Sequence, residues 1–241
     1  PQQRPRWFCV GFSEQHVCQR AKGEFSFPEP LAPDKCIPLS KIIAGGEGPG
    51  QSRVESAVVP TVLTEVDDKL TEKAEAQMKK NLEAIKGRGI NPSKSHVLID
   101  CEASPSRVQW FLNKSPCLTV SRYQGHWLTS QQRRLSGAEN FRLQGISPMD
   151  FIVQDFSWAK LGKFVGNAMS VNVLERLMFR MMQFAGLLAS YGVVPMDDRW
   201  QEGSAVKHLC QELGPRTKSP TQRGATKGNK PIVVEPKAAL N

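Results

Sequence analysis

Between Arg107 and Trp127 the sequence interleaves rings with groups that can read hydrogen-bonding edges: Trp110, Phe111, Tyr123, His126 and Trp127 mix with Arg107, Arg122 and Gln124. Arg and Gln match the edges of guanine and adenine, and a ring can occupy the space left by an extruded base. Such rings also fill cores, and roughly half of these are expected to do so. Arg122 and Gln124, in the loop after Thr119-Val120, are the best placed for contact. A second candidate is Gly166-Asn167, just ahead of an amphipathic run. A helix start leaves backbone N–H groups without partners, and these can receive a carboxylate; a capping Asn is the alternative. Other chemistries find no support. Cys9, Cys18, Cys36, Cys101, Cys117 and Cys210 are scattered, with no C-x-x-C pair and no His at metal spacing, so neither a metal site nor a disulfide framework is expected and a reducing compartment fits. The glycine run at 45–50 lacks the preceding strand and following helix of a phosphate-cradling loop.

Several elements must position these groups. The apolar run from Trp7 to Phe12 predicts a buried strand, and Pro/Gly-rich sequence from Phe25 to Gly50 predicts loop and a domain boundary. Val66, Leu70, Ala74, Met78, Leu82 and Ile85 recur at helical spacing, with Asp67 or Asp68 able to cap the start and Gly87 the end. Strands are expected from His96 to Cys101 and from Cys117 to Val120. Ser136-Gly137-Ala138-Glu139 is a capping box opening a short helix that stops at Gly145. The strongest amphipathic helix carries Val171, Leu174, Leu177, Met178, Met181, Phe184, Ala185 and Leu188 and is expected to begin just after Gly166-Asn167.

The chain has 241 residues, 39% of them apolar, and a net charge of +9. Residues 215–241 hold Arg216, Lys218, Arg223, Lys227, Lys230 and Lys237 against Glu235, so this stretch supplies +5 of the nine and leaves a mildly basic body. A basic excess favours a polyanionic partner without choosing among DNA, RNA and an anionic membrane surface. Low hydrophobicity beyond about Pro215 predicts disorder. No run of roughly 18 apolar residues exists to span a membrane. Pro1-Gln2-Gln3-Arg4-Pro5-Arg6 is neither an initiator methionine nor a signal peptide and leads straight into the first apolar run, so a start in mid-domain is expected.

Three separated segments carry further information. They are Pro1-Gln2-Gln3-Arg4-Pro5-Arg6-Trp7-Phe8-Cys9-Val10-Gly11-Phe12; then Arg133-Arg134-Leu135-Ser136-Gly137-Ala138-Glu139-Asn140-Phe141-Arg142-Leu143-Gln144-Gly145-Ile146; then Gly166-Asn167-Ala168-Met169-Ser170-Val171-Asn172-Val173. In this order they resemble the eighth (P-Q-x-R-x-R), ninth (R-x-L-T-x-x-E-x-x-R-L-Q-G-F) and tenth (G-N-S/A-V-x-V-x-V) motifs of the DNA cytosine-C5 methyltransferases. Each is weak alone; three in order around a long insert make coincidence improbable. Thr119-Val120 resembles the T-L pair near the end of that family's target-recognition domain.

The resemblance implies methyl transfer from S-adenosylmethionine to C5 of cytosine in double-stranded DNA. A thiolate attacks C6, and an acid and a cation accommodate the electrons at N3 and O2. Arg6 is thereby placed near cytosine O2, with Arg4 and Gln2 supporting the base pocket; the alternative, solvated charges flanking a strand, weighs evenly for Arg4, whereas Arg6 is read as functional. Asn167 and Ala168 are implied in the cofactor pocket, and Thr119, Arg122, Gln124 and Arg107 in DNA binding. Glu139 and Arg142 are expected to organise the recognition region. Pro116-Cys117 and Glu139-Asn140 imitate the family's catalytic P-C and E-N but follow the eighth motif instead of preceding it, so Cys117 is read as a small buried residue.

The expected fold is α/β: the C-terminal fragment of a Rossmann-like methyltransferase domain with a small mixed target-recognition domain inserted. Its divisions are the last strand region at 1–24, target recognition at 25–130, the ninth and tenth motifs at 131–192 and a basic, largely disordered tail at 193–241. The catalytic N-terminal half would come from the same or another chain, leaving this stretch inactive alone. A non-catalytic DNA-binding module and a tRNA-methylating relative are the rivals. Location is expected to be nuclear in a eukaryote and otherwise cytoplasmic or nucleoid.

Overall fold

Val97-Leu98-Ile99 is a short run of strongly apolar residues, and in the computed structural model it forms the buried strand β1 (Val97–Ile99) around which the described residues are arranged. The structure describes residues 8–13, 24–43, 69–150, 156–190 and 198–210. β1 pairs antiparallel with β2 (Trp110–Leu112) on one side, Leu98 opposite Phe111, and with β3 (Trp127–Leu128) on the other, Leu98 opposite Leu128. β3 in turn pairs with β4 (Arg133–Arg134), giving the order β2-β1-β3-β4. Successive side chains of a strand leave on opposite faces. Leu98 accordingly enters a core with Leu39, Ile42, Leu118, Leu128, Phe141 and Leu161, whereas Val97 and Ile99 enter another with Ala74, Ile85 and Cys101. The β3–β4 pairing and the larger core both join residues from either side of residue 130.

The second core is closed by a helix. After the single turn α1 (Leu39–Ile42), α2 (Glu72–Gly87) buries Ala74, Gln77, Asn81 and Ile85. Its N-cap is Thr71, whose hydroxyl accepts from the Ala74 N–H at 3.2 Å, instead of Asp67 or Asp68, which lie outside the described residues. Glu72 and Glu75 in the first turn complement the helix dipole. The stop is Gly89 instead of Gly87: at φ +73 it takes the left-handed conformation, and the Ile90 N–H reaches back to the Ile85 carbonyl.

The larger core is closed by α3 (Gly137–Leu143), α4 (Trp158–Asn167) and α5 (Val171–Phe184). α3 has the expected capping box and stops at Gly145, φ +76, with the Ile146 N–H on the Phe141 carbonyl. Gln144 fastens α3 to both neighbours: its Nε2 donates to the Val165 carbonyl at 2.7 Å, its Oε1 accepts from the Ser170 hydroxyl at 3.2 Å, and its carbonyl accepts from the Val171 N–H. The expected continuous helix through Leu188 instead breaks at Gly186, φ +71, before α6 (Leu187–Ser190).

Two expected strands are absent among the described residues. Phe8 to Ser13 lie in no strand; the Phe12 ring packs 4.6 Å from Phe184 and 5.3 Å from Phe25, so ring packing replaces ladder bonds. Cys117 to Thr119 lie in no strand, and Val120–Arg122 is a 3-10 turn closed by the Arg122 N–H on the Thr119 carbonyl. The segment expected as tail from 193 contains structure: α7 (Arg199–Glu202) and α8 (Ser204–Leu209) bury Trp200, Ala205 and Leu209. Asp198 caps α7 and receives Arg176, while Glu175 accepts from Arg199 and from the Trp200 indole, tying α7 to α5. Helices on a small antiparallel sheet fit the expected α/β class. No helix among the described residues is long and apolar enough to cross a membrane.

Candidate nucleic-acid interface

Thr119, Ser121, Arg122 and Gln124 share one exposed turn, and backbone contact fixes its position. Where it meets α4, residues 162 and 166 are both glycine. A Cβ on Gly162 would stand 2.8 Å from the Tyr123 Cβ, and one on Gly166 would stand 2.5 Å from the Val120 nitrogen and 2.6 Å from the Thr119 oxygen. Only glycine lets the two backbones approach so closely. The spacing of four puts both glycines on one helix face. On that seat the Thr119 and Ser121 hydroxyls lie 3.1 Å apart, Val120 is 38% exposed, and the Lys163 ammonium stands 6.0 Å over the Tyr123 ring.

From the sheet side the turn is held by charge. Arg122 Nε donates to both oxygens of Asp100, each at 3.1 Å, and its Nη1 donates to the Ser121 hydroxyl at 2.8 Å. Asp100 directly follows β1 and is buried. Beneath it Arg134, also buried, donates to the Gly125 carbonyl at 2.7 Å and to Glu102 at 2.6 Å. His126 is fully buried under the turn, and burial pushes its pKa down to about 4; Asp100 pulls upward while Arg122 and Arg134 push further down. The imidazole is therefore neutral near neutral pH.

The remaining sequence candidates divide. Arg107 is exposed on the loop between β1 and β2 and is carried by another element: its carbonyl accepts from Gln77 of α2 at 2.5 Å. Gln2, Arg4 and Arg6 lie outside the described residues. Asn167 and Ala168 require a correction, because Asn167 ends α4 instead of opening the next helix. The Ala168 N–H is used by the Phe164 carbonyl at 2.8 Å, and the N-cap of α5 is Ser170. Trp158, Leu161 and Val165 form a helical stripe running into Gly166, so the chain is already helical when it reaches Asn167. Gly166 nonetheless brings that helix end against Thr119 and Val120.

Cys117 and Glu139, of the pairs Pro116-Cys117 and Glu139-Asn140, are both engaged by neighbouring groups. Glu139, fully buried, accepts from both Nη atoms of Arg133 at 2.7 Å and from the Ser136 N–H at 2.7 Å. It organises the start of α3, as expected, and Arg142 reaches the Ile42 carbonyl at 3.4 Å. Cys117 is half-buried instead of buried, its thiol directed to the Leu118 carbonyl. Burial pushes the Cys101 thiol up to about 12, against the pull of Arg134, so it is no thiolate. The sequence reading missed Asp100, Gly162 and Lys163. The Gly162/Gly166 spacing was the available signal for the helix seat; nothing local marked Asp100.

The turn thus joins an Arg, small hydroxyls and a nearby Lys on a seat made by Gly162 and Gly166 of α4 and by Asp100. No curated protein matches the chain. The family model described as C-5 cytosine-specific DNA methylase matches residues 1–183, a span that takes in the turn, its sheet, α3, α4 and nearly all of α5. This chain belongs to the C-5 cytosine-specific DNA methylase family.

Proposed function

We propose that the chain is the target-recognition and closing portion of a DNA (cytosine-5-)-methyltransferase, with the turn at 119–124 reading duplex DNA. The observation that carries this reading is the seating of that turn: glycines on α4 and Asp100 on the sheet hold it from two sides while Val120 and Ser121 remain exposed. Pre-organised contacts lose less freedom on binding. In this reading 25–130 recognises DNA, 131–192 completes a Rossmann-like methyltransferase domain, and Arg6 with Arg4 and Gln2 lines the base pocket. The attacking thiolate and the N3 acid belong to the catalytic half, so these 241 residues alone transfer no methyl group.

S-adenosylmethionine is the methyl donor of the family. Asn167 and Ala168 do not offer the expected helix-start N–H groups to its carboxylate, because they close α4, whose carboxyl end presents carbonyls. At the start of α5 the Val171 N–H is taken by the Gln144 carbonyl and those of Val173 and Leu174 by the Ser170 carbonyl. No step is assigned to these residues.

The test is equilibrium binding to duplexes in which the bases flanking one cytosine are permuted at fixed salt. The wild-type chain is expected to prefer one context, and Arg122→Ala to flatten that preference by about 10-fold, the scale of one bidentate base contact. A uniform loss across all duplexes with a salt slope lower by about 1 would make Arg122 a phosphate contact instead. Labelled methyl incorporation is expected to be absent; incorporation abolished by Cys117→Ser would make Pro116-Cys117 the catalytic pair.

A further inference from the structure

Two acidic residues leave the end of β1, Asp100 and Glu102, and each is matched by one arginine. The arginines differ. Arg134 is turned wholly inward, its side chain 2% exposed and its Nη atoms committed to Gly125 and Glu102. Arg122 is 26% exposed and lies on the outward turn, yet its partner Asp100 is only 6% exposed. Asp100 is itself fixed before it meets Arg122, because its Oδ1 accepts from the Glu102 N–H at 3.1 Å. The Arg122 Nε–H is shared between both Asp100 oxygens, and Nη1 places one bond on Ser121.

A guanidinium has five N–H donors in a fixed plane. With Nε held by Asp100 and one Nη1 hydrogen on Ser121, these bonds leave one hydrogen on Nη1 and two on Nη2, and a donor from each nitrogen is the pair that matches O6 and N7 of guanine. An arginine free on a loop would surrender its side-chain freedom on binding, whereas one already tethered has surrendered much of it. The Gly162 and Gly166 seat prevents the turn from drifting away from this tether.

We propose that Asp100 is a positioning residue for target reading: it holds the inner edge of Arg122 so that the outer fork meets a guanine in duplex DNA. The proposal rests on the recognition role given to Arg122 above and adds the residue that makes it selective. Asp100 touches no DNA. It acts through the orientation of the guanidinium, and its effect appears in discrimination between bases, not in overall attraction to phosphate.

The experiment compares Asp100→Ala, Arg122→Ala, Arg122→Lys and the double alanine variant for binding to duplexes differing in one guanine, with salt slopes and melting temperatures measured alongside. Asp100→Ala is expected to lose the preference as fully as Arg122→Ala, by about 10-fold, with the salt slope unchanged. The double variant is expected to lose no more than either single, the signature of two residues acting as one unit. Arg122→Lys is expected to melt as the wild type does, since it can still pair with Asp100, but to lose the preference because an ammonium has no fork. If Arg122→Ala flattens the preference and a folded Asp100→Ala keeps it, the positioning role is overturned and the recognition reading survives. If Arg122→Ala leaves the preference intact, or the wild type has none, the recognition reading fails and this proposal with it. Should Asp100→Ala not fold, Asp100→Asn decides, because it keeps an acceptor for the Glu102 N–H but loses the charge that holds Arg122: a retained preference overturns the proposal.

Discussion

Replacing Gly166 by alanine puts a Cβ 2.5 Å from the Val120 nitrogen and 2.6 Å from the Thr119 oxygen. Ordinary contact distances are about 3.5 Å or more, so α4 and the turn must separate by about 1 Å. The obstructing atoms are backbone and cannot rotate aside. Overpacking of this kind costs about 1–3 kcal/mol, and alanine offsets up to about 1 kcal/mol of it as the better helix former. The net expectation is a loss of about 1–2 kcal/mol, read as a melting temperature lower by about 2–8 °C in a chain of this size. The same displacement moves Arg122, so the preference between DNA contexts should fall with the melting temperature. Gly87→Ala is the control: a Cβ there meets nothing within 4 Å, so that variant should be neutral or more stable. Thermal and urea denaturation with duplex binding make the comparison. A Gly166→Ala chain as stable and as selective as the wild type would refute the close seating of the turn on α4.

Other expectations are more local. His126 stays neutral in the fold down to about pH 4, whereas in the unfolded chain it takes a proton near 6.5, so stability is full above pH 6.5 and falls as pH drops from 6.5 toward 4. The gap corresponds to about 3 kcal/mol; urea denaturation from pH 7 to 4 should be flatter for His126→Gln, and parallel profiles would contradict the assignment. Glu139→Ala strips Arg133 and the Ser136 N–H of their acceptor and should cost about 3 kcal/mol, the lower end for a broken buried pair because Arg133 is 20% exposed; a loss under about 1 kcal/mol in chemical denaturation would speak against it. Removing residues 215–241 should weaken binding to all duplexes and lower the salt slope without changing the preferred context, since Lys and Arg outside a reading turn meet phosphates. In an enzyme completed by the proposed catalytic half, Arg6→Ala should lower methylation by about 10²-fold or more with little change in DNA affinity; unchanged turnover with a lower melting temperature would make Arg6 structural.

What the sequence by itself determined was local. The capping box at Ser136 and Glu139, the stop at Gly145 and the amphipathic face of α5 each depend on atoms within a turn or two of helix, so residue spacing alone suffices to place them. The run at Val97–Ile99 was likewise legible, because burial on both faces selects continuous apolar residues. The motifs were recognisable in order for the same reason. Tertiary structure decided the rest. Asn167 looked like a helix start because glycine and asparagine are boundary residues, yet the stripe from Trp158 through Val165 had already made a helix that ends there. Cys117 to Val120 had the composition of a strand but met the face of α4 instead of a sheet edge. Asp100 pairs with Arg122 across 22 positions, a choice no spacing rule makes among 23 acidic and 32 basic residues. Hydrogen bonds within a turn are set by the chain's own geometry, whereas the seat of the turn and the tether of Arg122 exist only after distant segments have packed on a common core.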